Sequence, residues 1–444
     1  MPEIKNAFHV QPAKLLALGF LGLILLGAFI LWLPVSTHEG ISFIDALFTA
    51  TSAVCVTGLT VVDTSTTFTL FGQIVIMLLI QVGGIGFVTI AILIAVLLGR
   101  RIGLRERLVL QQAYGQVSLS GLIRLALQIA LVTFLFEGCG VLLLSARFIP
   151  DYGVVGGFYF GLFHTVSAFN HAGFALWPDS LMPFARDPYV LVVTAALVIA
   201  SSVGYTVILD VAKKRRFRRL SLHSKMMLVG TAVLLFTSTL LYLALEWDNP
   251  KTLGTLTGMD KLLNAFFLAT TPRSSGFNSV DMAGLTDSSV FLTMLLMFIG
   301  GGPGSTAGGV KVTSFLVLVL AVWSVLKRRE DVQAMERRIS RDIVFRALAI
   351  VFFGGVIVFT GSFLLTLTEP DGIGLDRLLF ETVSAFGTVG LSLGITPELS
   401  PFGKLVISVI MFLGRVGPLT VAYALAIPPR AKLIRYPKED VLVG

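Results

Sequence analysis

Phe163-His-Thr-Val-Ser-Ala-Phe-Asn-His-Ala-Gly173 decides the fold, because three other stretches repeat it without gaps. They are Phe48-Thr-Ala-Thr-Ser-Ala-Val-Cys-Val-Thr-Gly58, Phe266-Phe-Leu-Ala-Thr-Thr-Pro-Arg-Ser-Ser-Gly276 and Phe380-Glu-Thr-Val-Ser-Ala-Phe-Gly-Thr-Val-Gly390. The closing glycines stand 115, 103 and 114 residues apart. Ser-Ala recurs at 52–53, 167–168 and 384–385; only the third copy departs, where Thr271-Pro272 stands. A fixed period of this kind marks one structural unit used four times.

About twelve weakly apolar residues lead into each glycine (Ile41–Ala53, Phe158–Ala168, Lys261–Thr270, Leu375–Ala385). Such a length is too short to cross a bilayer and reads as a re-entrant half-helix. Around these segments lie eight long apolar runs: 15–35, 69–99, 125–146, 189–209, 226–245, 289–326, 343–366 and 405–427. Each has at least the roughly 20 residues a span needs. The first is too long for a cleaved signal and lacks a small-residue cleavage site. The expected architecture is an all-α polytopic membrane protein: eight transmembrane helices plus four re-entrant pore loops. These form four tandem span–pore-helix–span units around a pseudo-fourfold pore, with boundaries at 1–100, 101–212, 213–327 and 328–444.

Composition agrees. Of 444 residues, 55% are hydrophobic and 14% charged, with a mean hydropathy of +0.88. Soluble domains carry about 25% charged residues, so a soluble or disordered chain is excluded. The net charge of +8 sits in short clusters between the apolar runs, at 100–107, 213–219, 327–341 and 430–438. Every even-numbered run ends on one, which places both termini in the cytoplasm. Clusters so divided offer no single basic face for nucleic acid, and membrane lipid is the expected surround. Glu39, Asp45, Asp63, Asp151, Asp179, Asp281 and Glu398 mark the opposite side. Two cysteines, and five histidines without metal-binding spacing, exclude a disulfide framework and a Cys-based metal centre. No nucleophile or acid–base pair shares one membrane depth, so an enzyme is not expected.

Non-helical backbone at membrane depth is tolerated where it is buried in protein or lines water. Four such loops around one axis would surround a path. Carbonyl rings replace the hydration shell of a cation, and half-helix C-termini pointing inward favour the same sign. The candidate filter is therefore the backbone carbonyls of Val56-Thr57-Gly58, His171-Ala172-Gly173, Ser274-Ser275-Gly276 and Thr388-Val389-Gly390. The side chains of His171 and Arg273 are expected to buttress the loops from behind.

The second run of each unit carries glycines: Gly83-Gly84-Ile85-Gly86, Gly204, Gly300 to Gly309, and Gly414-Arg415-Val416-Gly417-Pro418. Gly204 reads as ordinary small-residue helix packing. Gly300-Gly301-Gly302-Pro303-Gly304-Ser305-Thr306-Ala307-Gly308-Gly309 is not a helix interior. The run 289–326 would measure about 57 Å as one helix, too long for a single crossing. A phosphate-binding loop does not fit the spacing. This stretch, Lys311 beside it as an anchor, and Arg415 deep inside the last run are the candidate gate, since intramembrane charges face a cavity or the bundle interior. Arg346 reads as snorkelling. Glu137, in the third run, is open between a partner for Arg415, a proton or ion site, and a subunit-interface carboxylate.

The four glycines, the strings Thr271-Pro-Arg-Ser-Ser-Gly-Phe-Asn-Ser279 and Ser384-Ala-Phe-Gly-Thr-Val-Gly390, the broken sixth run and Gly414-Arg-Val-Gly-Pro-Leu-Thr420 resemble the Trk/Ktr/HKT superfamily of cation transporters. Within it they resemble the Ktr-type membrane subunit. The resemblance covers nearly the whole chain. It implies a K⁺ preference from glycine at all four positions, and gating by the broken run and Arg415. It further implies a homodimer in the cell membrane and a cytosolic ring of nucleotide-binding regulatory subunits of the KtrA or KtrC kind. Nucleotide would then act only through that ring. The short cytoplasmic tails also leave no room for a sensor domain within this chain. Na⁺ coupling stays open, and an ion-coupled secondary transporter of sodium or another small cation is the alternative reading.

Overall fold

The computed structural model describes residues 12–98, 121–370 and 372–417, with residues 103, 420 and 439. The N-terminal tail, most of the 100–107 basic segment, and the last run beyond Gly417 with its 430–438 cluster lie outside the described residues.

Helices dominate. Each copy of the repeat opens with a long helix, α1 (Pro12–Trp32) in the first copy. A short helix follows, α2 (Phe43–Cys55), capped by Ser42, whose side chain accepts the Asp45 N–H. The second copy fuses the two elements. Its helix α3 (Leu122–Asn170) runs through 49 residues and kinks at Gly153, where φ is 73°. In the third copy the long helix is α4 (Leu222–Glu246) and the short one α5 (Gly258–Thr270). In the fourth they are α6 (Arg341–Thr368) and α7 (Leu375–Gly387).

The second helix is broken in the first three copies. Leu70–Ile85 meets Val88–Val96 at 92°, about Gly86 (φ +87°). Pro188–Ser202 meets Tyr205–Lys214 at 92°, about Gly204 (φ +98°). Asp287–Phe298 and Val312–Leu326 are separated by the glycine-rich loop. Pro401–Val416 stops at Gly417 (φ +90°). Gly204 is therefore a hinge rather than a packing residue, which corrects the sequence expectation. A positive φ is strained for any residue with a Cβ. A Cβ at Gly204 would also come within 2.7 Å of the Pro303 carbonyl oxygen.

A strand pair, β1 (Val332–Ala334) and β2 (Arg337–Ile339), departs from the all-α expectation. Met335 and Glu336 between them both have positive φ, as a two-residue hairpin turn requires.

Among the described residues, four helices are long and apolar enough to cross a membrane, or six if each bent pair is one span. The burial pattern is inverted relative to a soluble protein. Leu18, Phe29, Leu131, Phe134, Leu142, Phe236, Phe352 and Phe359 are exposed, whereas Ser52, Thr57, Ser167, Ser274, Ser275, Thr306 and Thr388 are fully buried. Apolar surface this extensive needs a cover that is itself apolar. The central core draws on all four copies, including Phe48, Phe163, Leu268 and Phe380.

Candidate functional site

The short helices all end at the repeated glycine loops. In three copies the ending is the same. The His171 N–H donates to Ala168 O (3.2 Å) and the Ala172 N–H to Ser167 O (2.7 Å). Val56 with Thr57, and Thr388 with Val389, make the same pair of bonds. This reverse turn closes a helix C-terminus through a left-handed residue. Here that residue is not glycine but Val56 (φ 57°), His171 (φ 67°) and Thr388 (φ 47°). The third copy differs because Pro272 has no N–H to continue the pattern. Its helix closes by Thr271 N–H to Phe267 O, and Ser275 N–H donates to Thr271 O (3.0 Å each). Even so, Ser274 reaches φ 76° at the matching position.

All four closing glycines have positive φ: +96° at Gly58, +69° at Gly173, +74° at Gly276 and +90° at Gly390. They form a closed ring. A Cβ at Gly58 would strike the Ala172 carbonyl oxygen, and one at Gly173 would lie 2.8 Å from Gly276 Cα. At Gly276 it would meet Val389 O at 2.7 Å, and at Gly390 it would lie 2.9 Å from Gly58 Cα. Copies one, two, three and four thus follow one another around an axis, and the fourth returns to the first. Glycine is required here for two reasons, the left-handed backbone and the approach of neighbouring chains.

The recurring serine has a role that composition did not reveal. Ser52 Oγ accepts the Gly58 N–H (3.0 Å), and Ser384 Oγ accepts the Gly390 N–H (3.1 Å). Ser167 Oγ donates instead to Phe174 O (2.7 Å). His171 lies behind the ring, its Nε2 against Ser201 Oγ (2.7 Å) and Val198 O (3.1 Å). Arg273 is buried and donates to Thr231 Oγ1 (3.2 Å). Both side chains are thereby engaged by neighbouring helices.

On one side of the ring a cavity of about 360 Å³ is lined by the four glycines and by Asp63, Asp179 and Asp281. The sequence marked these aspartates only as part of an acidic side. On the other side a cavity of about 210 Å³ is lined by Gly304, Ser305, Ala307, Gly309, Lys311 and Arg415, among others.

The loop Gly300–Gly309 lies between the two. The Gly300 N–H donates to Val310 O (2.8 Å) and Val312 N–H to Gly301 O (3.0 Å), so its ends are pinned together. Gly302 N–H donates to Ser202 O (2.7 Å), and Gly304 O accepts the Tyr205 N–H (3.1 Å). Pro303 O faces Gly204, and Ser305 Oγ donates to Gly302 O (2.6 Å). Thr306 Oγ1 donates to Phe169 O (3.4 Å), at the end of the second short helix. Gly308 N–H donates to Ser274 Oγ (3.3 Å), which itself donates to Thr388 O (2.7 Å). Ser274 thus joins two ring segments to the loop, a contact with no signature in the sequence. A Cβ at Gly309 would lie 3.1 Å from Gly387 Cα. Lys311 Nζ donates to Ala307 O (2.5 Å) and Gly308 O (3.2 Å). Arg415 donates to Thr306 O, Gly83 O (2.5 Å) and Gly84 O (3.5 Å).

Glu137 is not the partner of Arg415. It is 6% exposed, which also removes it from the chain's surface. Its carboxylate accepts from Gln81 Nε2 (3.0 Å) and Asn170 Nδ2 (2.8 Å). Asn170 immediately precedes the second ring segment, so Glu137 steadies the ring from behind.

A helical membrane protein with four equivalent loops closing one central ring is of the transporter class, not an enzyme. A family model described as cation transport protein, TrkH, matches residues 21–436, and the chain belongs to the TrkH family. It is 47% identical over 433 residues to the Ktr system potassium uptake protein B of Bacillus subtilis, covering 98% of this chain and 97% of that protein. It is 43% identical to the protein of the same name from Vibrio alginolyticus, covering 97% and 94%. It is 40% identical to the potassium/sodium uptake protein NtpJ of Enterococcus hirae, covering 98% of each. The crystal structure of the potassium transporter TrkH from Vibrio parahaemolyticus shares the fold, with a TM-score of 0.76 at 18% identity, covering 96% of this chain and 87% of that one.

Proposed function

We propose that the chain is the membrane subunit of a potassium uptake system in the cell membrane. K⁺ passes along the axis of the glycine ring, held by the carbonyls of Val56–Gly58, His171–Gly173, Ser274–Gly276 and Thr388–Gly390. The observation that carries this reading is the ring closure. Four glycines from four copies abut in sequence order, all with positive φ, and backbone oxygens so crowded can replace a hydration shell. The potassium uptake proteins it resembles at 40–47% identity support the choice of ion.

In this reading the four repeats are the pore units 1–100, 101–212, 213–327 and 328–444. Eight spans, some of them broken, carry four re-entrant loops, and both termini are cytoplasmic. The loop Gly300–Gly309, tied by Lys311 and Arg415, is the gate below the filter. Two copies form a homodimer that docks a cytosolic nucleotide-binding ring, which opens the gate. Sodium linkage is the second reading, favoured by the name of the Enterococcus relative. The purified protein in liposomes tests both. K⁺ uptake down a K⁺ gradient without Na⁺ supports the channel-like reading. Uptake that requires a Na⁺ gradient would replace it with coupled transport, and no cation uptake even after Arg415→Ala has released the loop would overturn it.

A further inference from the structure

The ring is fourfold in its glycines but twofold in the side chain that each short helix offers to the segment past its glycine. The residue after the first Phe of each repeat is Thr49, His164, Phe267 and Glu381. All four are buried, and in space they occupy equivalent places on the four short helices. Their chemistry alternates.

In the fourth copy the Glu381 carboxylate accepts from Ser392 Oγ (2.8 Å) and from Thr396 Oγ1, and the two hydroxyl oxygens lie 3.0 Å apart. Ser392 and Thr396 follow Gly390 and line the outer cavity. In the second copy His164 Nε2 accepts the Leu176 N–H (3.1 Å), three residues past Gly173. That bond leaves the proton on Nδ1, which donates to Phe160 O (2.7 Å). The imidazole also stacks on Trp177, 4.1 Å between centroids, and Trp177 lines the same cavity. The first and third copies have no counterpart at this position; the third copy's segment is tied instead through its backbone, where the Asn278 N–H donates to Ser180 Oγ (3.3 Å) and Asn278 O accepts the Leu181 N–H (3.0 Å). Thr49 Oγ1 is buried without a partner, and Phe267 has no polar atom to offer.

Copies two and four stand diagonally across the ring, since Gly173 adjoins Gly58 and Gly276, and Gly390 adjoins Gly276 and Gly58. We propose that His164 and Glu381 are positioning residues that hold the outer ends of the two opposite filter segments, and that this hold sets discrimination between K⁺ and Na⁺. The inference rests on the carbonyl filter proposed above. A buried polar group left half satisfied loosens what it holds, and a coordinating constellation keeps its geometry only when the residues around it are locked. Loss of either anchor frees the segment just past its glycine. The carbonyls can then close on a smaller ion.

The test is uptake of K⁺ and Na⁺ by variants of the full chain in liposomes, with the amount of folded protein measured in parallel. Glu381→Leu, Ser392→Ala and His164→Phe are each expected to lower the K⁺:Na⁺ uptake ratio roughly fivefold, the weight of one net hydrogen bond. Glu381→Gln keeps an acceptor and is expected to restore most of the ratio. Thr49→Val removes a hydroxyl that holds nothing and is expected to leave the ratio unchanged. If Glu381→Leu fails to fold, Ser392→Ala carries the test, because it cuts the same tie from an exposed mouth. An unchanged ratio with only the folded amount reduced would assign these residues to plain stability and overturn the proposal. Gly390→Ser separates the two ideas. If it shifts the ratio while the anchor variants do not, the filter stands and the anchors fall. If Gly390→Ser also leaves the ratio unchanged, the filter reading fails and takes the anchors with it.

Discussion

Arg415 donates from one end of its guanidinium to the backbone carbonyl of Thr306, 109 residues earlier in the chain, and from the other end to Gly83 O at 2.5 Å. One side chain therefore ties the glycine-rich loop to the break in the first copy's second helix. Thr306 also reaches Phe169 O at the second short helix. The loop is held between a fixed positive charge and the underside of the ring.

Removing that charge should release the loop. Arg415→Ala is expected to raise cation flux without any activator by roughly tenfold, since a hydrogen bond to a charged group is worth about 1.5–3 kcal/mol. Arg415→Lys should fall between, because an ammonium lacks the planar fork that spans two carbonyls. Rubidium uptake into liposomes, scaled to folded protein, checks both. Flux in Arg415→Ala no higher than in the unaltered protein would remove the gate.

The ring glycines should not be interchangeable. Each needs a left-handed backbone that costs an L-residue roughly 1–2 kcal/mol. At Gly58 and Gly390 a Cβ would in addition strike a carbonyl oxygen of the neighbouring loop, whereas at Gly173 and Gly276 the nearest atoms are 2.8 Å and 2.7 Å away. Serine at 58 or 390 is thus expected to weaken K⁺ affinity and discrimination against Na⁺ more than serine at 173 or 276. Competition of Na⁺ with K⁺ uptake across the four variants gives the ranking. Four equal effects would show that crowding within the ring is not what matters.

Much of this was legible in the sequence. The Phe-to-Gly register marked four loops, and their closing glycines meet in one ring. The bend at Gly204 was not legible, because a lone glycine between apolar residues looks the same whether it packs or hinges. Its reason is the Pro303 carbonyl, which belongs to another copy. The partners of Arg415 and Lys311 are backbone carbonyls, and a carbonyl leaves no mark on residue type. Glu137 was visible as a buried charge, but its partners lie 56 and 33 residues away, Gln81 on the first copy's second helix and Asn170 beyond the kink at the far end of α3. The recurring Ser-Ala pair was seen as a pattern, yet its purpose appears only when Ser52 and Ser384 meet the glycine N–H groups.

Glu137 should behave as a structural acceptor. Glu137→Ala would strand the Gln81 amide donor in the interior, at about 1–3 kcal/mol for a buried unsatisfied group, while Asn170 Nδ2 keeps Gln81 Oε1 and Val166 O as acceptors. Glu137→Gln keeps an acceptor and should cost less. Thermal unfolding in detergent should therefore rank the unaltered protein above Glu137→Gln, and Glu137→Ala last. Equal midpoints for the two variants would mean that the carboxylate is not holding those amides.

The aspartate-lined cavity offers a different kind of test, one that acts at a distance from the ring. Asp63, Asp179 and Asp281 line it together. Asp63 Oδ1 is occupied in accepting the Thr66 N–H (2.7 Å), and Asp281 Oδ1 in accepting the Ala283 N–H (3.0 Å). Replacing either would unpick a local turn as well as a charge. Asp179 is exposed and caps no helix, so Asp179→Asn is the cleaner change. A carboxylate at a pore mouth raises the local cation concentration through its field. That field is screened over about 10 Å at 0.1 M salt and reaches farther in dilute solution. Asp179→Asn is therefore expected to raise the K⁺ concentration for half-maximal uptake by about two- to threefold at low ionic strength, one carboxylate's share of the roughly tenfold or greater enrichment that a charged cleft gives. The difference should fade as an impermeant salt is added, while maximal uptake stays the same. Uptake measured over a range of K⁺ at two ionic strengths decides it. A shift that persists unchanged in high salt would mean that Asp179 contacts the ion directly instead of attracting it through solvent.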